Sequence, residues 1–452
     1  MFGLGSPKAR FMIMNTKIIS RALLACSFLF FSLPSLGWWG TGHEIIAAIA
    51  YNNLTPEAKK HVNSLLKENV DWPSAPATKY LPAPRILAKR LNNCVLASTW
   101  ADAIKDYKWS NTKEAYVYSA MHFIDVPMNM KFPLKQKIPI TSQCAKIDWD
   151  KLTSDTITNM KNKEVVSGTA SAIKTLLSRE SRQDKALALR FLIHFAGDAY
   201  MPFHALNPTF SFKDGKDAHV IFTKGANLLF FPDRESSAKM WYYNQHDSQN
   251  PVAYVVTKNW HGFWDGAVGS YHNIPEPSNS PYNYNGWKKW RVYGKKYRAY
   301  INQVADEIQS SFAKDPINTE IKQNASLEYW VAKTARVGCL ALSSKYYGDK
   351  LLFEILPTDK GYTASVYFAD SDYKNYEDKV KSVAEKQIYI AGMHLAYLLN
   401  AIFTTKNSYA DDAHLGMQRS YEEYIGKISR NRYIPTLDTL VDKILNRRGY
   451  TP

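Results

Sequence analysis

The chain has 452 residues, 45% of them hydrophobic, and carries a formal net charge of +16. That length and apolar fraction are ample for a large core and leave room for up to about three domains. After the N-terminus no stretch is apolar for long enough to span a bilayer, which excludes stable membrane insertion; the basic balance serves solubility while permitting a polyanionic partner.

The first 37 residues stand apart from the fold. Lys17 and Arg21 precede an apolar run from Ala22 to Leu36, and Ser35 and Gly37 put small residues at the −3 and −1 positions of a cleavage site. This reads as a secretory signal peptide, residues 1–37, cut after Gly37, and predicts a secreted or periplasmic protein. Met14 is an alternative start. Leu24-Ala25-Cys26 fits a lipidation box, but Arg21 leaves too short an apolar run before that cysteine. Cleavage removes Lys8, Arg10, Lys17 and Arg21 and no acid, so the +16 falls to +12.

The remainder reads mostly as helix. His43 to Leu66 has apolar residues at helical spacing, with Thr55-Pro56 opening a second helix. Trp72 to Arg85 and Pro127 to Ile140 are rich in Pro and polar residues and read as loops. Val165 to Leu177 and Ala186 to Tyr200 are strongly periodic. Strand is suggested only at Ala218 to Phe231 and Gly361 to Phe368, and Asn273 to Gly286 reads as a further loop. Tyr300 to Phe312, Ser326 to Tyr347 and Val380 to Phe403 complete the helices. No repeat is evident, and the loop-rich stretches lie between helices. The expected architecture is one large all-α domain, residues 38–452, with insertions around 205–260 and 266–380. Beyond the signal the cysteines are Cys94, Cys144 and Cys339. Their wide spacing does not suggest a thiolate zinc site; Cys94 with Cys144 is the expected disulfide, leaving Cys339 over.

Chemistry concentrates in Phe191-Leu-Ile-His194-Phe-Ala-Gly-Asp198-Ala-Tyr-Met-Pro-Phe-His204. A later segment, His261-Gly-Phe-Trp-Asp265, repeats the His-x-x-x-Asp spacing. On a helix, residues i and i+4 share a face, so each pair can grip one ion from adjacent turns. Of the 11 histidines, His61, His219, His246, His272, His394 and His414 read as packed or solvent-facing residues. His43 follows Trp38-Trp39-Gly40-Thr41-Gly42, His122 lies in Met121-His122-Phe123-Ile124-Asp125, and Asp102 closes Trp100-Ala101-Asp102. An oxygen and nitrogen ligand set without cysteine suits a catalytic zinc site that keeps positions open for water.

In this order the motifs resemble the class I nucleases, secreted zinc-dependent enzymes of the phospholipase C-like helical fold. The resemblance runs over most of the chain: a Trp five residues before His43, Trp-Ala-Asp, His-Phe-Ile-Asp, the His-x-x-Gly-Asp-x-x-x-Pro-x-His core, Asn-x-His-x-x-Trp-Asp, and Ala391-Gly392-Met393-His394-Leu395-Ala396. It implies a monomeric hydrolase that uses zinc-activated hydroxide to attack phosphorus in single-stranded DNA or RNA and in 3′-nucleotides. It also implies three Zn2+ ions. Asp102, His122, His194 and Asp198 would hold the first, and His204, His261 and Asp265 the second. Trp38, through its terminal amine and carbonyl, would hold the third with His43 and the bridging Asp198. Signal cleavage would then create the third site, because only a terminal, deprotonated amine is a ligand.

The resemblance further implies that Asp102 orients the attacking water and that the residue three positions on steadies developing charge. That residue is Lys105 where many members have Arg, which keeps a point charge and loses the bidentate fork. Phe123 would stack on a nucleobase and Asp125 would accept from its edge; plain core packing is the competing reading of Phe123. Asn227, in Gly225-Ala226-Asn227, matches a substrate-binding Gly-Gly-Asn except for its second glycine. Met201 stands where the core motif usually has Gln, and the segment from His204 to His261 is longer than in compact members. Two rivals remain open. A zinc-dependent phospholipase C shares the fold, but the short Trp38-to-His43 spacing and Asp265 favour the nuclease. A zinc-storage protein would have no use for Lys105, Phe123 or Asp125.

Overall fold

The computed structural model describes residues 38, 40–70, 89, 91–105, 120–140, 144–159, 164–231, 239–243, 252–256, 259–267, 286–324, 326–343, 351–359, 361–368 and 373–404. Within these, the side chains of 103–105, 239–243, 252–256, 286–297 and 373–375 lie outside the description. Contacts divide the chain between Ser35 and Leu36, and every described residue belongs to the second unit.

Helices dominate. In chain order they begin with α1 (Gly40–Asn52), α2 (Pro56–Leu65), α3 (Cys94–Ala97) and α4 (Trp100–Lys105). A single turn at Ala120–His122 leads into strand β1 (Val126–Lys131), and α5 (Trp149–Asn159), α6 (Val165–Leu177), α7 (Arg182–Asp198) and α8 (Pro202–Ala205) follow. Next come β2 (Leu206–Asp214), β3 (Asp217–Phe222), β4 (Leu229–Phe230), β5 (Lys239–Tyr243) and β6 (Val252–Val256). The chain continues through α9 (Trp260–Asp265), α10 (Gly286–Phe312), α11 (Ile317–Gln323), α12 (Leu327–Leu342), β7 (Leu351–Thr358), β8 (Gly361–Phe368) and α13 (Tyr373–Phe403).

Two helices form the centre because long stretches of them are apolar or small on every face apart from a few polar residues, such as His43 and Glu44 of α1 and Arg190, His194 and Asp198 of α7, which approaches the pattern of a fully buried helix. α1 is buried without a break from Gly42 to Ala50, and α7 from Ala186 to Asp198. Each buried Ile, Leu or Phe contributes about 1.5–3 kcal/mol, so these helices hold their polar passengers in place firmly. α13 packs against α1 closely enough that a Cβ at Gly392 would stand 2.6 Å from Ile49 Cγ2, which accounts for the glycine in its motif. Helix starts follow the side-chain caps: Thr55 Oγ1 accepts from Ala58 N at 3.1 Å, and Ser181 caps α7. That cap starts α7 at Arg182, four residues before the expected Ala186.

The strands depart from expectation. Pro127 to Ile140, read as loop, contains β1, which pairs in parallel with β2 from Val126↔Leu206 to Lys131↔Ser211. β1 is an edge strand, where a proline removes no needed ladder bond, and its alternating Val126, Met128 and Met130 were the signal that Pro127 and Asn129 obscured. β2 pairs with β3 in antiparallel register, Thr209↔Phe222 to Asp214↔Asp217. The expected strand Ala218 to Phe231 is instead β3, a tight turn, and β4, which joins a second sheet ordered β4-β8-β7. The expected loops Trp72 to Arg85 and most of Asn273 to Gly286 lie outside the described residues.

The disulfide also differs. Cys144 bridges Cys339, with Cα atoms 5.9 Å apart, and Cys94 is a free, buried thiol. Cys94 faces α1, where its sulfur lies 3.9 Å from Ala47 O, and burial pushes the thiol up to about 12. Cys144 lies instead against α12, which carries Cys339. Among the described residues no helix is long and apolar enough to cross a membrane.

Candidate metal centre

Three groups of buried His and Asp residues converge: His43, His194 and Asp198; Asp102, His122 and His194; His204, His261 and Asp265. Asp198 is fully buried at the end of α7 and joins them. Its Oδ2 lies 2.9 Å from His122 Nδ1 and 3.0 Å from His194 Nε2, while its Oδ1 lies 3.3 Å from both His43 Nε2 and His204 Nδ1. Asp102 Oδ1 approaches His122 at 3.7 Å and His194 at 3.5 Å. In the remaining group His261 Nε2 is 3.1 Å from Asp265 Oδ2, and His204 Nε2 is 4.0 Å from Asp265 Oδ1.

These spacings fit zinc. Bonds of 2.0–2.1 Å in tetrahedral array put neighbouring ligand atoms about 3.3 Å apart, in the middle of the observed range. The electrostatics agree. Burial alone would raise Asp198, but His194, His204 and His122 hold it well below the usual carboxylate range. Burial alone would lower His194, but Asp198 and Asp102 lift it to about 10. The carboxylates therefore demand positive charge at this point, either a proton on His194 or a cation in its place. His43 moves down, through burial and repulsion from His194, whose ring it stacks on at 3.9 Å between centroids. Asp265 Oδ1 is buried and accepts no hydrogen bond, as expected of an atom with a lone pair held for a cation.

The neighbourhood fixes which ring nitrogen faces inward. Backbone carbonyls receive the far nitrogens: His194 Nδ1 donates to Ser98 O at 2.6 Å, and His261 Nδ1 donates to Gly225 O. Each ring therefore presents Nε2 to the centre, the outer hydrogen bond setting the tautomer. Gly225 has φ +61, and a Cβ there would stand 2.3 Å from Phe203 O, so only glycine fits the turn that backs His261. Gly197, in the core motif, leaves room for His43: a Cβ would lie 2.6 Å from its Nδ1. Asn259 Oδ1 accepts from Gly262 N at 2.8 Å and caps α9, which brings His261 and Asp265 onto one face. Met201, in place of the usual Gln, turns its sulfur to Phe203 N and His204 N at 2.9 and 3.2 Å and so caps α8. None of Ser98, Gly225 or Asn259 was singled out as a supporting residue. The glycine two residues before Asn227 and the Asn two residues before His261 were the legible signals.

The rim is partly open. Ile124 N and Asp125 N donate to His204 O at 2.8 and 3.2 Å, which ties the Phe123–Asp125 segment to the second group. Phe123 is half-buried and stands outside the buried core cluster. Asp125 adopts φ 56, in the left-handed region that among non-glycine residues Asn and Asp enter most readily. Its Oδ1 would stand 3.2 Å from a Cβ at Gly225, and burial pushes its carboxyl up to about 7 against the pull of His204. Asn227 is half-buried on the same turn, with its Nδ2 donating to Lys224 O at 2.9 Å. Ala226 has φ 66, the left-handed region that a second glycine would occupy without strain. Lys105 closes α4, but its side chain lies outside the described residues. Trp38 is fully buried, its Cβ 2.9 Å from where a Cβ at Gly42 would stand. The remaining histidines pack elsewhere: His61 stacks on Phe403, His219 on Phe212, and His394 Nδ1 meets Tyr200 Oη. His246, His272 and His414 lie outside the described residues.

Endonuclease 2 of Arabidopsis thaliana is 26% identical over 207 residues, which cover 44% of this chain and 57% of that protein. The S1/P1 Nuclease family model matches residues 38–404. The helical architecture is that expected of an all-α, phospholipase C-like fold, and the extent of the match shows that the chain belongs to the S1/P1 nuclease family.

Proposed function

We propose that the chain is a zinc-dependent phosphodiesterase, an endonuclease on single-stranded DNA or RNA that also hydrolyses 3′-nucleotides. The observation that carries this reading is the sharing of one carboxylate, Asp198, among three His/Asp groups whose ligand atoms stand at zinc spacing. Family membership supports it.

Each group has its role. His122, His194, Asp102 and Asp198 would hold one zinc, and His204, His261 and Asp265 a second. The third group is short of ligands: His194 gives Nδ1 to Ser98 and has only Nε2 to offer, which the first ion takes. That leaves His43 and Asp198. The amine and carbonyl of Trp38 would supply the two missing donors once a signal peptide is removed after Gly37. Such processing makes the protein secreted or periplasmic, with residues 38–452 as the nuclease domain. Zinc, when bound, would supply a hydroxide nucleophile at neutral pH and polarise the phosphoryl oxygens.

The side chains do the rest. Asp102, with Oδ1 toward His122 and His194, would orient the incoming water. Lys105 would place a cation against charge developing on phosphate. Phe123 would stack on a base, while Asp125 and Asn227 would bind its polar edge and sugar-phosphate. The test is a substrate panel on the processed protein: single- and double-stranded oligonucleotides, 3′- and 5′-nucleotides, and a phosphatidylcholine analogue. Preferential hydrolysis of single strands and 3′-nucleotides, abolished by chelation, is expected. Turnover of the phosphatidylcholine analogue alone would overturn the reading in favour of a phospholipase C, and zinc binding without any hydrolysis would make it a storage protein.

A further inference from the structure

Among the described residues, the three-stranded sheet has one face whose side chains are largely exposed. Strand alternation assigns the two sides. Phe210 and Phe212 of β2 are buried on the packed side. Asp214 shares that parity and accepts from Tyr362 Oη at 2.8 Å, and Asp217, paired with Asp214, points the same way. The other side carries Asn129 and Lys131 of β1, Lys213 of β2, and Val220 and Phe222 of β3, with Thr209 of β2 buried between the two edge strands, its Oγ1 donating to Met128 O at 3.3 Å. Phe222 is 64% exposed and Val220 49%, two of only four large hydrophobic side chains so exposed among the described residues. The two lysines are exposed as well. This face therefore combines an aromatic ring, an aliphatic neighbour and two cations, while both strand-end aspartates lie on the opposite side.

Its position ties it to the metal centre. All three strands meet the site at the same end. Asp125 leads into β1, His204 into β2 through Ala205, and β3 runs into the turn whose Gly225 backs His261. Asn207, at the site end of β2, accepts from Gly225 N at 3.0 Å and so locks that turn to the sheet. Successive residues on one face are about 7 Å apart along a strand. Leading away from the site come Asn129, Thr209 and Phe222 in one row, then Lys131 and Val220, then Lys213. The hairpin β2–β3 lies within the His204-to-His261 segment, which is longer than in compact members of the family.

We propose that this open face is a stacking platform for single-stranded nucleic acid extending beyond the bond being cleaved, with Phe222 stacking on a base and Lys131 and Lys213 meeting phosphates. The inference rests on the nuclease reading for its occupant, and continuity with the site and the sorting of charge support that choice. An aromatic ring with flanking cations on an open sheet is sequence-tolerant, because every base offers a π-face. Short substrates would not reach it.

Two measurements separate this inference from the reading beneath it. The first is binding of a phosphorothioate single-stranded 12-mer, which resists cleavage, to the full processed protein by fluorescence anisotropy. The second is hydrolysis of a 12-mer and of a 3′-mononucleotide. Phe222→Ala should weaken 12-mer binding and raise its KM on the order of 10-fold, with mononucleotide kinetics unchanged, and Phe222→Trp should restore both. Lys131→Ala and Lys213→Ala should each lower the slope of log affinity against log salt by about 0.7. If Phe222→Ala leaves 12-mer affinity and KM intact while the parent hydrolyses both substrates, the platform is refuted and the nuclease stands. If the mononucleotide rate falls equally, Phe222 only supports the site turn and the platform is again refuted. Phe222-dependent 12-mer binding by a parent that hydrolyses neither substrate would keep the platform and overturn the nuclease. Anionic vesicles that displace the 12-mer from Phe222 would assign the face to a membrane and overturn the proposal.

Discussion

Gly197→Ala isolates the physics of the core motif. In an unconstrained helix the exchange stabilises by about 1 kcal/mol. At this position the new Cβ would lie 2.6 Å from His43 Nδ1 and 2.8 Å from its Cε1. Ordinary contact begins at 3.4 Å, so the ring must retreat by about 0.8 Å. It is fully buried and stacked on His194 with centroids 3.9 Å apart, so the retreat also presses on a ligand of the neighbouring group. Overpacking of a buried site costs about 1–3 kcal/mol, which offsets or outweighs the helix gain. Displacing a ligand this way should lower zinc affinity roughly 10–100-fold. Competition with a chromophoric chelator gives the affinity, and a thermal melt of the chelated protein gives the packing cost. An unchanged zinc affinity together with a raised Tm, as for a solvent-facing helix glycine, would refute the reasoning.

Three further predictions follow from individual residues. Asp198→Asn should lose more zinc and more activity than Asp265→Asn, since Asp198 meets four imidazoles and Asp265 two; equal losses by metal analysis would remove the bridging role. Glu164 caps α6 through Val166 N at 2.6 Å and Ser167 N at 3.1 Å, and burial raises its carboxyl from 4.5 to about 7. Because the folded pKa is the higher, its ionisation removes stability as pH rises from 4.5 through 7. Glu164→Gln should therefore gain on the parent across that window by at most about 3 kcal/mol at pH 8, and urea melts at pH 5 and pH 8 that show the parent gaining instead would contradict this. Ala226→Gly should relieve the left-handed backbone at φ 66 and stabilise by about 0.5–1 kcal/mol; an unchanged or lowered Tm would show that the strain is absent.

The candidate ligands were legible because metal-binding chemistry imposes spacing. His194 with Asp198, and His261 with Asp265, sit four apart on helices, and the structure gathers the more distant His43, Asp102, His122 and His204 around them. The apolar periodicity of α6, α7 and α13 announced the helical core. The strands were harder to read. β1 alternates cleanly, but Pro127 and Asn129 mimic a loop unless its partner β2, some 80 positions on, is known. The disulfide failed for a related reason: 195 residues separate Cys144 from Cys339, and nothing local marks which distant helix each cysteine meets. The backing of the centre was partly written in motif glycines and asparagines. Gly225 and Asn259 became intelligible only when the His261 turn showed what they support.

The most direct test of a three-ion centre is metal analysis of two forms of the protein, one beginning at Trp38 and one with a short extension before it, alongside hydrolysis of a single-stranded oligonucleotide. The account predicts about three zinc ions per chain in the first form. It predicts one fewer in the second, with hydrolysis severely reduced, because the extension converts the terminal amine into an amide that cannot serve as a ligand. Equal zinc content and equal rates in the two forms would contradict it.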